Sequence, residues 1–391
     1  MNALKFKGIA AAVLAAALVW PSIAAPKVAH AGTTAYVRLA WDNGGESSSN
    51  GIIKNGRIYV PADLFEMAGM RLQWDKAHQR ADIIGYGKSA AVRIGQSAGV
   101  IDGAPTRGDA APFMYGGQLY VSATFLVMVL EGGSIQWDGA HRLFTAKGLH
   151  TFASFSQTYG GRTFSIVNRT GELFVNGGKN GASVKLADLG SPIYGGVSMD
   201  FQPTEGGLLY VTIHDNYGEP HLGNHIFTLI LKNGVVIRKA NASYWYRFMP
   251  NVTSYGHHLL MTDGKTLRIL ADGTADVEQT LDLVKLGGEE DNYFVEGIAD
   301  DFVLIRPNRS GLLTLVDRKT GGSVQLYKQL LSAEEITLAE TNDTIYGDWL
   351  QYVKREGSTL YFKNGSSLEK NRDKLYAYTL PVPAADEASV Q

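Results

Sequence analysis

Asn55-Gly56-Arg57-Ile58-Tyr59-Val60-Pro61 returns as Gly116-Gly117-Gln118-Leu119-Tyr120-Val121-Ser122, and Gln73-Trp74-Asp75-Lys76-Ala77-His78 returns as Gln136-Trp137-Asp138-Gly139-Ala140-His141. The offset is 61 residues at the tyrosines and 63 at the tryptophans, so one unit is written twice with a two-residue insertion. Each copy reads as a turn, a short strand, a helix and a second strand. Pro61 is expected in the first helical turn, where its missing N–H costs nothing, and Ser122 as the N-cap of the second helix. Leu64, Phe65 and Ala68, then Phe125, Leu126, Val129 and Leu130, give the apolar helical spacing; Gly69 and the Gly132-Gly133 pair stop the helices. Trp74 and Trp137 are expected to lay their indoles on those helix faces, with Asp75 and Asp138 opening the next turns.

Between the copies, Ala91–Ala98 and Val100–Pro105 alternate as strands around an Asp102-Gly103 turn. In this ordered set of motifs (Gly56 to Pro61, Gly69, Trp74-Asp75, Ile94-Gly95, Asp102-Gly103, Gln118 to Ser122, Trp137-Asp138) the stretch 50–148 resembles the copper amine oxidase N-terminal-like domain. This is the stalk module found in exported proteins of Paenibacillus-like Gram-positive bacteria. Ser122 stands where that family usually has Pro. The resemblance implies a small α+β module over 33–149 with no chemistry of its own, since in amine oxidases this part carries neither copper nor the tyrosine-derived quinone. The remaining chain supplies no substitute: Asn216-Tyr217 is followed by Gly218 and Asn292-Tyr293 by Phe294, where the quinone precursor needs an acid, and no His-x-His pair occurs. Amine oxidase activity is not expected, and no cofactor is called for.

The first residues read as a signal peptide, 1–31: Lys5 and Lys7, an apolar run from Gly8 to Trp20, and an Ala29-His30-Ala31 cleavage site. The apolar run is shorter than the roughly 20 residues a membrane span wants, so no span is expected after cleavage. Loss of Lys5, Lys7 and Lys27 leaves 33 basic against 38 acidic residues, and the surplus of acid lies in 151–391. Such a balance recruits neither nucleic acid nor an anionic membrane. The absence of cysteine excludes disulfides, thiolate metal sites and cysteine nucleophiles, and suits a secreted or wall-associated Gram-positive protein. Six Asn-x-Ser/Thr triplets, at Asn168, Asn241, Asn251, Asn308, Asn342 and Asn364, read as turn asparagines.

Residues 151–380 read as mainly β. Leu229–Leu231 and Val235–Ile237 flank Asn233-Gly234, a strong hairpin signal, and similar turns are expected at Asn176-Gly177, Asp263-Gly264, Asp272-Gly273 and Asn364-Gly365. Strand, Asp317-Arg318-Lys319-Thr320-Gly321 turn, strand is a unit of propeller blades. Aromatic strand starts at Tyr194, Trp245, Tyr293 and Tyr346 recur about every 50 residues, so a five-bladed β-propeller is expected, with a β-sandwich as the alternative. Helix is expected only near Ser332 to Ile336, and 381–391 as a disordered tail.

His214, Asp215, Glu219, His221 and His225 crowd a segment expected to be a long loop, and their side chains are of the types that hold a metal ion. His257-His258 reads as a structural pair. Asp200, Glu296 and Asp348, with Asp300 and Asp301, lie near expected strand starts; across a propeller channel, paired carboxylates would suit glycoside hydrolysis. No phosphate loop, dinucleotide fingerprint or nucleophile elbow is present. The expected function is an exported, non-catalytic cell-surface or wall-associated protein whose stalk presents a binding propeller to a wall glycan or another exported protein. The alternative is an extracellular propeller hydrolase acting on polysaccharide.

Overall fold

The computed structural model describes residues 33–176, 183–341 and 347–381. The expected signal peptide, the tail from 382, Gly177 of the Asn176-Gly177 turn, Asn342 and Tyr346 lie outside them. The protein is mainly β and divides into two compact units, one ending at Ile193 and one beginning at Tyr194. That division falls beyond the expected 149/151 boundary, so the sheet at 154–188 groups with the N-terminal module.

In the first unit the repeat is realised as Arg57–Pro61, helix α1 (Leu64–Met67) and Arg71–Asp75, then Gln118–Ser122, helix α2 (Ala123–Val129) and Ser134–Asp138. The two leading strands pair antiparallel with Val60 opposite Val121, its own counterpart in the repeat. Equivalent residues meet across the pair only where a local two-fold passes, so the duplicated sequence folds about a pseudo-dyad at these valines. A seven-stranded sheet runs through this pair, and a five-stranded meander spans 71–107. Thr33–Trp41, whose Ala35, Val37 and Leu39 alternate inward, pairs parallel with Leu143–Leu149 and antiparallel with Glu46–Lys54. Phe65, Leu126 and Val129 from the helices, with Leu39, Ile83 and Phe144 from the strands, form one buried core.

Local details differ from expectation. Pro61 ends its strand opposite Tyr120, and the helix begins three residues later, because the proline N–H is not needed at that register. Ser122 does cap α2, its hydroxyl accepting from the Phe125 N–H at 3.1 Å. At the end of α2 the left-handed residue is Glu131 (φ 55°), while Gly132 packs where a Cβ would come 2.7 Å from Val127 and Leu149. Trp74 and Trp137 do not lie on the helices. They pair with Ala81 and Phe144 and so face the core side of their sheets, but at the rim, leaving 40% and 43% exposed. Asp75 and Asp138 do open the following turns, each accepting from the backbone N–H three residues on and pairing with His78 or His141 at 2.6 and 2.7 Å.

From residue 154 onward the chain forms five consecutive antiparallel meanders, in each of which strand order equals chain order. The first (154–188) belongs to the first unit. In the second unit three four-stranded sheets (196–245, 254–282, 293–325) precede a three-stranded one (350–379). Each of these packs on the next: Tyr210 and Ile230 on Leu259 and Leu270, Leu260 and Ile269 on Val295 and Ile305, Phe302 and Leu315 on Leu350 and Phe362. Asn55-Gly56, Asp102-Gly103 and Asn233-Gly234 all hold positive φ at both residues, the two-residue turn whose twist matches its strands. Asn364 instead ends a strand, buried, with its amide on Glu335; Asn241 lies within Val235–Trp245 and is not a turn residue. Trp245 ends a sheet where a sheet start was expected. Helix α3 (Leu283–Gly287) and α4 (Leu326–Leu330) were not expected; α5 (Ala333–Glu340) begins at Ser332 with a reciprocal capping box to Glu335.

Candidate functional site

Of the carboxylates proposed for hydrolysis, Glu296, Asp348 and Asp301 are otherwise occupied. Glu296, on the first strand of the 293–325 sheet, and Asp348, just before the 350–379 sheet, both bind Arg306; the three side chains are 7%, 0% and 2% exposed. Asp348 lies 2.8 Å from Nη1, and the guanidinium also donates to the carbonyls of Gly311 (2.6 Å) and Leu350 (2.6 Å). Asp348 further accepts from the Leu350 N–H at 3.1 Å. Burial alone would lower the Arg306 pKa, but the two carboxylates more than offset it and hold the arginine firmly charged. A proton donor and a free carboxylate cannot both be drawn from this group. Asp301 is likewise clamped in two-pronged fashion by Arg355 at 2.6 and 2.7 Å, Asp300 is exposed in the connection between Tyr293–Ile298 and Phe302–Pro307, and Asp200 is exposed on Gly196–Pro203.

The 214–225 segment is not a long loop. His214, Asp215, Asn216 and Tyr217 lie on Leu209–Tyr217, and Asn224 and His225 on Gly223–Lys232, leaving only 218–222 between the strands. Strand pairing divides the polar groups. Asp215 lies opposite His225, whereas His214 lies on the other face and meets Asn224 at 2.8 Å. Asp215 is fully buried and accepts from the Tyr194 and Gly195 N–H groups at 3.0 and 2.9 Å. Among the described residues no three His, Asp or Glu side chains gather as a metal ion requires, so the expected ligand set is not assembled. His257 is exposed and His258 half-buried beside Glu278 at 2.8 Å, one ring out and one partly in, as alternation required.

What the end of the 196–245 sheet does assemble is aromatic. Tyr217, Gly223 and Trp245 are directly opposite one another on three adjacent strands and so share a face. The Tyr217 ring lies over Gly223, where a Cβ would fall 2.5 Å from it. Tyr194 sits 5.8 Å from Tyr217, the His225 ring 5.0 Å from it, and Tyr246 meets Trp245 edge-on at 5.7 Å. On the other face Phe248 stacks on His214 at 4.3 Å. Tyr194, Trp245 and Tyr246 are 55%, 48% and 51% exposed at this end, and Phe248, on the other face, is 45% exposed. Single exposed apolar residues are ordinary; a contiguous set marks a binding surface. Tyr246 also holds φ 67°, a left-handed conformation that bulky residues avoid, with its N–H bound to the Leu222 carbonyl at 2.8 Å.

The electrostatics of this end are mild. Burial holds the His225 imidazole below its ordinary pKa, with Asp215 opposing, and its Nδ1 has no partner. Burial, then Asp215 and Tyr194, push the Tyr217 phenol upward, so it stays protonated. Arg247 turns inward to the carbonyls of Asn308 and Arg309, both at 2.6 Å. The run Ser243-Tyr244-Trp245-Tyr246-Arg247-Phe248-Met249 carried the signal: after a long strand, aromatic residues follow one another with no alternation left to bury them all.

Comparison with solved structures finds distant likenesses. The dihydro-heme d1 dehydrogenase NirN is 11% identical, with 73% of this chain and 56% of that one covered and a TM-score of 0.25. The extracellular domain of a putative hybrid two-component system from B. thetaiotaomicron is 12% identical, covering 88% and 45%, with a TM-score of 0.25. Apo AztD from Citrobacter koseri is 10% identical, covering 75% and 80%, also at 0.25. The chain thus spans about half the length of the first two. No curated protein matches it. No helix among the described residues is long and apolar enough to cross a membrane. The duplicated module is the part that a known family accounts for: residues 43–145 match the copper amine oxidase N-terminal domain.

Proposed function

We propose that this is an exported, non-catalytic protein of the cell surface or wall, in which the copper amine oxidase N-terminal-like module carries a ligand-binding β-domain built as a five-bladed propeller. The carrying observation is the exposed aromatic end of the 196–245 sheet, with imidazole and phenol groups set among the rings. Two further observations support the reading. The matched family segment is the part of amine oxidases that lies outside their catalytic centre, and two of the three acids named for hydrolysis, Glu296 and Asp348, are both bound to Arg306. The five meanders, each in chain order, are the arrangement a propeller requires. The test is cosedimentation of the purified full chain with cell-wall sacculi. The chain is expected in the pellet, and Trp245→Ala is expected to reduce that fraction. A chain that stays in the supernatant as it does without wall would overturn the reading.

A further inference from the structure

The geometry points to an uncharged, extended polysaccharide as the ligand of the aromatic end, gripped by stacking over at least two consecutive sugar rings. The inference rests on the reading that the β-domain binds an external ligand, and it names that ligand's class.

Tyr217 and Trp245 stand on strands separated by the strand of Gly223, and because the Tyr217 ring lies over Gly223 it is one strand spacing, about 5 Å, from the strand of Trp245. One strand spacing is close to the advance per sugar along an extended chain, which suits consecutive rings better than a single small one. Gly223 keeps the floor between them flat, because its missing Cβ lets the Tyr217 ring lie down on the backbone. Tyr194 extends the row beyond Tyr217, and Tyr246 meets Trp245 edge-on. A pyranose offers an apolar C–H face to an aromatic ring and hydroxyls at its edge, and the polar atoms here match that pattern. The protonated Tyr217 phenol is the group here able to exchange hydrogen bonds with such hydroxyls.

Charge selects among glycans. Asp215 is spent on backbone N–H groups and Arg247 on carbonyls, so neither reaches out to an ionic ligand. Glu219, exposed in 218–222, repels a polyanion. The site therefore favours neutral chains.

The experiment is calorimetric titration of the full chain with β-1,4-linked glucose oligomers and N-acetylglucosamine oligomers of increasing length, and with polygalacturonate as the charged comparator. Affinity for a neutral oligomer is expected to climb with length and to change little with salt, since no ion pair is made. Trp245→Ala and Tyr194→Ala are each expected to weaken it about tenfold or more, as truncation of aromatic anchors does, and Trp245→Phe to restore part of the loss. Gly223→Ala keeps every aromatic residue but displaces the Tyr217 ring, and is expected to weaken binding as well. The inference is overturned if no neutral oligomer binds, if polygalacturonate binds instead, or if binding survives both truncations. Retention on sacculi with no neutral oligomer bound would sink this inference and leave the wall-binding reading standing; absence from sacculi would remove that reading itself.

Discussion

Arg306 spends its forked donors on two carboxylates and on the backbone carbonyls of Gly311, Asp348 and Leu350, inside a region where its side chain is 2% exposed. A buried ion network gains little over a well-packed apolar one, but breaking it from one side leaves charge without compensation. Arg306→Met is therefore expected to cost about 3 kcal/mol or more at neutral pH, read from urea unfolding. A variant within ~0.5 kcal/mol of the parent at pH 7 would mean the network carries no stability. None of this was legible in the sequence, where Glu296 and Asp348 looked like free acids near strand starts. Their partner lies 10 residues from one and 42 from the other, and no periodicity links positions that meet only across two sheets.

Several elements written with local chemistry were read correctly, while elements decided by tertiary packing were not; Asn364 of the expected Asn364-Gly365 hairpin ends a strand instead. Asn-Gly and Asp-Gly turns carry their own φ requirement, so three hairpins followed directly from pairs of letters. The α5 capping box sits where Ser332 placed it. The tryptophan strands went the other way: alternation assigned their face, but whether Trp74 and Trp137 reached a helix depended on how far each sheet extends past it. The aromatic end was missed for a related reason. Trp245 and Tyr194 were read as punctuation of a repeat, and only strand register shows that Tyr217, Gly223 and Trp245 share a face. The two repeat helices supply a test at this scale. Ser122 caps α2 through its hydroxyl, whereas Asp63 at the start of α1 makes no side-chain cap and instead accepts from Gln118 at 2.7 Å. Ser122→Ala is expected to cost about 1 kcal/mol in chemical denaturation, and Asp63→Ala less than half as much. Equal losses would show that the repeat copies cap their helices alike.

For the whole molecule, the repeat predicted one boundary and packing draws another. Sequence placed the break near 150, where the duplicated module ends, yet the compact division falls between Ile193 and Tyr194 and leaves the 154–188 sheet with the module. The two divisions make different demands on a truncated chain. Within the second unit three successive sheet pairs bury their facing residues against each other, so that much has an apolar core of its own. A closed propeller, however, needs its first sheet to cover the last and the second, because radial repetition protects faces only when the ring is complete. Fragments beginning at residue 151 and at residue 194 therefore separate the cases. If five sheets close, the longer fragment unfolds in one cooperative transition at a midpoint near that of the parent, and the shorter one shows a lowered midpoint and binds a dye for exposed apolar surface. If the unit from Tyr194 onward is self-sufficient, both fragments melt alike and the dye stays dark. Heat-unfolding curves of the two, followed by near-ultraviolet circular dichroism with and without the dye, decide between a five-sheet ring and a four-sheet body preceded by a sheet that belongs to its stalk.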